Sequence, residues 1–293
     1  MIPAAFEYRR AASLDEALAL LAEHGSEAKV LAGGHSLLPL MKLRLARPER
    51  LIDIGRLEEL KGVAEVRSGA GTPGGSLRIG ALTTYAELLE DERIARYGAL
   101  ADALPRIGDA QVRNRGTIGG SIAHADPAAD LTAVLLALDA TVAVRSAARG
   151  GREIGIDDFF EGAFTTALAD DEILLEIRLP APSDEVGSAY VAIDQHASGY
   201  PIAGVAAVVG AATRIAVTGV GERAYRATHV EAALEAAAAR GSDGQEHAIE
   251  AAVARITEGI DVNGDIHADP EYRAEMARVM ARRAIELARA RLV

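Results

Sequence analysis

The 293-residue chain contains no cysteine. That excludes from it a disulfide, a thiolate nucleophile, a Cys-held iron–sulfur cluster and a Cys-ligated zinc. Any such centre is expected on another subunit. Basic residues are scarce relative to acids. Lys and Arg number 31 against 43 Asp and Glu, a formal net charge of −12. This balance argues against a nucleic-acid partner, because phosphate contacts need a basic surface, and against an anionic membrane surface. Long apolar runs are absent too. The longest uncharged one, Ile202 to Ala212, falls far short of the roughly 18 residues of a membrane helix. "MIPAAFEYRR" has no apolar core behind a basic start, so no signal peptide is expected. The expectation is a cytoplasmic protein with no transmembrane segment. What remains is a globular composition, 49% apolar and 25% charged, long enough for two domains.

Local signals divide the chain. Ser13 and Glu16 form a capping box before "LALLAEH", and Gly25 stops that helix. "AKVLAG" reads as a strand, "LLPLMKLRLA" as a helix ending near Pro48, and "RLIDIG" as another strand. "GVAEVR", the turn "SGAGTPGG" and "SLRIGA" predict a hairpin. Helices are expected from Thr84, boxed with Glu87, to Glu90, from Tyr97 to Leu104, and near Ala128 to Leu138. "ATVAVRS" and "EILLEIRLP" read as strands, and "PAPSDEVG" (180–187) as a linker. Beyond it come three strand-like runs in "SAYVAIDQ", "GVAAVVGAA" and "RIAVTGVG". Thr228 and Glu231 then box an alanine-rich helix, and Met276, Val279, Met280, Ala284 and Leu287 recur at helical spacing.

Two stretches carry the chemistry. "AGGHSLLPLMKLRL" starts at Ala32, and "RGTIGGSIAHADPAADL" starts at Arg115. Each sets a glycine pair beside hydroxyls: Gly33, Gly34 and Ser36 in one, Thr117, Gly119, Gly120 and Ser121 in the other. Glycines admit positive φ and close approach to the backbone, and exposed amides there form an anion-binding concavity. Either stretch alone reads as a tight turn. The pair points to two clamps on one elongated phosphate ligand, such as a dinucleotide. A bulky residue at Gly33 or Gly119 is expected to expel it and leave the fold intact. Lys42, Arg44, Arg113 and Arg115 lie near both stretches, as counter-charge or as solvated surface cations.

The motifs "LAGGHSLLPLMKLRLARPERLIDI" and "GTIGGSIAHADPAADL" resemble the two flavin-binding signatures of the FAD-binding medium subunits of molybdenum hydroxylases, the aerobic carbon monoxide dehydrogenase type above all. The resemblance runs through "MIPAAFEY", "FFEGAFTTAL" and "PEYRAEMARVMARRAIE". It implies an α+β protein. A PCMH-type FAD-binding domain spans 1–179 as two α/β subdomains, about 1–57 and 58–179. A C-terminal three-stranded sheet with helices follows at 187–293. It implies FAD held by Ala32, Gly33, Gly34, His35, Ser36, Thr117, Ile118, Gly119, Gly120 and Ser121. Asp130 would make a polar contact to the cofactor, and Leu174 and Tyr190 would lie near the flavin ring. It further implies a small subunit with [2Fe-2S] clusters and a large subunit with the molybdenum cofactor, assembled as a dimer of heterotrimers. Ala192 stands where many relatives have lysine, which puts inherited acceptor chemistry in doubt.

Rival motifs fail on context. "GAGTPG" (69–74) matches a dinucleotide fingerprint but precedes a strand, and "GVGERA" (219–224) does not open the helix that starts at Thr228. His124 with Asp126, and His267 with Asp269, form no metal-ligand set. No catalytic residue is expected on this chain. The functional expectation is an electron-transfer subunit passing electrons from partner clusters to an external acceptor. The alternative is a free-standing PCMH-type FAD oxidoreductase with its own substrate site.

Overall fold

The computed structural model describes residues 2–66, 75–183, 185–210, 212–238 and 245–292. The turn expected at 69–74 lies outside them.

The first unit is β1 (Glu7–Arg10), α1 (Leu14–His24), β2 (Ala28–Leu31), α2 (Leu37–Lys42) and β3 (Arg50–Asp53). Its sheet has the order β1-β3-β2, all parallel. Parallel neighbours need crossover connections, and α1 and α2 supply them. Ser13 Oγ accepts the Glu16 N–H at 3.2 Å, and Leu14, Ala17, Leu18 and Leu21 bury one face of α1. β1 is exposed throughout, so no alternation marks it in the sequence. α2 is shorter than expected. Arg44 takes a left-handed φ of 60°, and the N–H groups of Leu45 and Ala46 both turn back to the Leu40 carbonyl. That turn ends the helix and sends the chain towards β3.

The second unit comprises β4 (Val63–Val66), β5 (Ser76–Gly80), α3 (Tyr85–Glu90), α4 (Glu92–Ala95), α5 (Gly98–Ala103), α6 (Ala110–Arg113), α7 (Ile118–His124), α8 (Asp130–Ala137), β6 (Thr141–Ser146), β7 (Gly150–Gly155), β8 (Phe160–Gly162), β9 (Thr165–Thr166) and β10 (Glu172–Pro180). Its main sheet, β4-β5-β10-β6-β7, is antiparallel at every pairing. Its helices form one continuous run between β5 and β6, in the order that the sequence signals have them. All eight residues of α8 are buried.

The third unit is β11 (Gly187–Asp194), β12 (Pro201–Val209), β13 (Arg214–Thr218), β14 (Tyr225–Arg226), α9 (Thr228–Ala238), α10 (Gln245–Val253) and α11 (Pro270–Ala290). Three long antiparallel strands gain a two-residue fourth at one edge. Side chains alternate across the sheet. Ala189, Val205, Ala207 and Val217 pack with α9, α10 and α11, whereas Tyr190, Ala206, Val208 and Ala216 join the core around α8. The expected box at α9 is not formed. The Glu231 carboxylate instead accepts the Ile215 N–H at 2.8 Å and pairs with Arg226. "GVGERA" is the connection between β13 and β14. Leu287 is 37% exposed, off the buried stripe of α11.

Candidate cofactor-binding site

A cleft of about 930 Å³ runs between the first two units. That is near the top of the ~300–1,000 Å³ range of ligand sites. Ala32, Gly33, Gly34, His35 and Ser36 line one side, and Thr117, Gly119, Gly120, Ser121 and Asp130 another. Leu174 of β10 and Tyr200, at the tip of the β11–β12 hairpin, also line it.

The first glycine stretch connects β2 to α2. Among the described residues, the backbone N–H groups of Gly33, Gly34, His35, Ser36 and Leu37 have no acceptor. Gly34 has φ 80°, which a side chain would resist. Ser36 precedes α2 without a side-chain capping bond, leaving its hydroxyl free. Unpaired amides at a helix start form a concavity for an anion. His35 is exposed, its Nε2 3.1 Å from the Gln111 carbonyl oxygen.

The second stretch is a helix, not an open loop. Thr117 caps α7 and accepts the Gly120 N–H at 3.1 Å. The Ile118 N–H donates to the Thr83 carbonyl at 3.1 Å, Gly119 to Ala81 at 2.9 Å and Ser121 to Thr117 at 3.0 Å. These amides are therefore spent within the protein. The hydroxyls of Thr117 and Ser121 remain as donors.

The glycines divide by role. A Cβ on Gly33 would lie 1.9 Å from the Arg115 carbonyl oxygen, and one on Gly119 would lie 2.6 Å from Ala81 Cβ. Both let backbones touch, so the expected harmless loss of ligand on substitution does not hold for them. Gly120 differs. A Cβ there would meet only Thr117 Oγ1 at 2.8 Å and Ala32 Cβ at 4.0 Å. Ile118 is fully buried in the core and does not line the cleft.

Asp130 opens α8 on the cleft wall and is itself only 6% exposed. The Tyr190 hydroxyl donates to its Oδ1 at 2.8 Å. Burial raises the carboxyl to about 7, against the lowering effect of the Tyr190 bond. Tyr190 is itself buried and does not line the cleft; it reaches it through Asp130. Burial also pushes the Tyr85 phenol up to about 12, with the Ser121 side chain opposing. Arg106 donates to the Ala192 carbonyl at 3.0 Å and to Asp194 Oδ2 at 2.6 Å. A guanidinium from another element therefore sits beside Ala192. Tyr85, Arg106, Asp194 and Tyr200 escape sequence reading because they are far apart in the chain and share no motif.

Of the two readings of the nearby cations, counter-charge does not hold for three of them. Lys42, Arg44 and Arg113 do not line the cleft, and Arg113 donates to the carbonyls of Ile107 and Gly108. Arg115 lines a second hollow of about 510 Å³ on the other side of Gly33 and Thr117. Lys29 and Arg47 are the cations on the cleft. His124 rests on Phe164 at 5.1 Å between ring centroids, and burial lowers its pKa. Among the described residues no group of three or more His, Asp or Glu could hold a metal. Among the described residues no helix is long and apolar enough to cross a membrane.

The free amide cradle, the cap hydroxyls and the open Gly120 face fit a dinucleotide such as FAD. Comparisons with known proteins agree. The FAD binding domain in molybdopterin dehydrogenase matches residues 4–182, and the CO dehydrogenase flavoprotein C-terminal domain matches 188–288. The carbon monoxide dehydrogenase medium chain of Hydrogenophaga pseudoflava is 40% identical over 99% of both chains. The 6-hydroxypseudooxynicotine dehydrogenase complex subunit alpha of Paenarthrobacter nicotinovorans is 36% identical over 97% of this chain and 95% of its own. A solved structure of the Hydrogenophaga pseudoflava carbon monoxide dehydrogenase superposes with a TM-score of 0.90, covering 100% of both chains. The chain belongs to the family of FAD-binding medium subunits of molybdenum hydroxylases.

Proposed function

We propose that this chain holds FAD and relays electrons within a molybdenum hydroxylase, from iron–sulfur clusters on a small partner subunit to an external acceptor. The substrate is oxidised at a molybdenum cofactor on a large partner, and the assembly is a dimer of heterotrimers. The observation that carries this is the cleft, with its amide cradle at Gly33–Leu37 facing a hydroxyl-lined helix start. Bound FAD supplies the exchange between two-electron and one-electron transfer. The chain binds and orients it. The cradle amides and the hydroxyls of Ser36, Thr117 and Ser121 donate to the diphosphate, with Lys29 and Arg47 offsetting its charge. The backbone of Ala32, Gly34, His35 and Gly120 bounds that end. Leu174 and Tyr200 shape the wall beside Asp130. Ile118, Gly119 and Tyr190 support this wall from behind. Residues 1–179 and 187–293 act as the FAD-binding and C-terminal domains.

Purified chain should show a flavin absorbance band, with one FAD released per chain on denaturation. Co-expressed with a cluster-bearing small chain and a molybdenum-bearing large chain, it should elute with both. A chain that binds no FAD after reconstitution would refute the reading.

A further inference from the structure

Behind the cleft lies a polar seam that binding alone does not require. Asp130 belongs to the second unit and Tyr190 to the third, yet their bond is buried. The fold makes room for it. A Cβ on Gly204 would fall 2.2 Å from the Tyr190 hydroxyl oxygen. Asp194, two β-steps beyond Tyr190 on the same strand face, keeps Oδ1 buried without a hydrogen-bond partner. Its other oxygen takes Arg106. Asp102, from α5, accepts the Tyr190 N–H at 3.0 Å. The titratable and charged groups facing Asp130 are thus Tyr190 and Asp194 on β11, Arg106 after α5, Tyr85 on α3 and Tyr200 before β12. A buried acid held by one neutral donor, with one cation already matched to another acid, can change its charge without losing its partner.

We propose that Asp130, gripped by Tyr190, is the proton acceptor that balances charge when electrons enter the FAD cleft. The inference rests on the FAD reading above. Reduction by two electrons from partner iron–sulfur clusters, with one solvent proton taken up by the flavin, would add one negative charge to the cleft; a second solvent proton would pass to the Asp130 carboxylate and offset it. No bond between heavy atoms forms or breaks. Well below pH 7 the carboxyl is already neutral and takes up nothing. Above it, a charge added within roughly 10 Å at an effective dielectric near 20 raises its proton affinity about tenfold or more. Wild-type flavin is then harder to reduce at high pH than flavin beside a side chain that is always neutral.

The test titrates the FAD-loaded chain spectroscopically against redox dyes from pH 5.5 to 8.5, as wild type, Asp130→Asn and Tyr190→Phe. At equal solution potential, the reduced-to-oxidised ratios of wild type and Asp130→Asn should agree within about twofold at pH 5.5. At pH 8.5 the wild-type ratio should be about tenfold lower. Tyr190→Phe removes the donor that lowers the acid, so its divergence should begin at a higher pH. Parallel pH profiles for wild type and Asp130→Asn would overturn the proposal while leaving FAD binding standing. Loss of FAD from wild type itself would instead sink the underlying reading. If a variant fails to hold FAD, melting of the FAD-free chains decides. A carboxyl raised in the fold contributes stability that is lost as pH rises from about 4 to about 7. The melting temperature of Asp130→Asn should therefore draw ahead of wild type between pH 5 and 7.5, then stay level. A constant gap would overturn the proposal.

Discussion

At the residue scale, glycine identity has two unrelated causes in one motif. Gly119 and Gly120 are neighbours in "TIGG", yet only Gly119 is pressed against the Ala81 backbone. A larger residue there must push two backbones apart, at a cost of about 1–3 kcal/mol for overpacking. Gly120 faces the cleft, where a Cβ would crowd only the capping Thr117 hydroxyl, so the cost is at most that of a weakened N-cap. Gly119→Val should lower the melting temperature of the FAD-free chain by several degrees. Gly120→Val should melt within a few degrees of wild type yet retain little FAD, read as flavin absorbance per chain after reconstitution. FAD retention by Gly120→Val at wild-type stoichiometry would remove this face from the site.

At the element scale, α7 depends on its N-cap. Thr117 caps the helix, bridges to Thr84, and offers the cleft a hydroxyl. Thr117→Ala should cost about 0.5–2 kcal/mol in the FAD-free chain, the usual loss of an N-cap. Thr117→Ser keeps the hydroxyl and should recover most of that stability together with FAD affinity. If Thr117→Ala unfolds at wild-type denaturant concentration, the capping account is wrong. Such local signals made much of the fold legible. The box at Thr84 formed in full because its partner lies three residues away, whereas at Ser13 only the cap formed and the Glu16 carboxylate accepts the Ala12 N–H instead. The box at Thr228 failed because β13 presents an unpaired Ile215 N–H and Arg226 supplies a cation, both invisible to local reading. α7 reads as a turn in the sequence for a related reason. Its glycines weaken helix propensity, and only the Thr83 and Ala81 carbonyls and the Thr117 cap fix it. The site followed the same rule. Both glycine stretches were found by motif, whereas the orientation of Tyr190 towards Asp130 depends on strand register and inter-unit packing.

At the scale of the whole molecule, the sheet of the third unit is buried on both faces, between α8 and the helices α9–α11. Apolar contact therefore joins this unit to the second, and its hairpin tip brings Tyr200 over the cleft. The arrangement provides a binding cleft and a supported wall. Acids and bases do gather around the second hollow, where Asp53, Glu87 and Glu90 stand with Arg10, Arg56 and Lys61, but it opens on the side of Gly33 and Thr117 away from the cleft. The second hollow is polar and sits behind the glycine contact, with Arg115 exposed at its rim. The free-standing oxidoreductase reading requires electrons to reach the flavin directly from an organic or gaseous substrate. The subunit reading requires them to arrive through clusters that a chain without cysteine cannot ligate in the usual way. The two readings separate under strict anaerobiosis. FAD-loaded chain alone should keep its visible flavin absorbance in carbon monoxide, xanthine or nicotinate, and should bleach with dithionite. Added small and large subunits should restore bleaching by the cognate substrate. Bleaching of the lone chain by any of the three substrates would overturn the relay and place a substrate site on this chain.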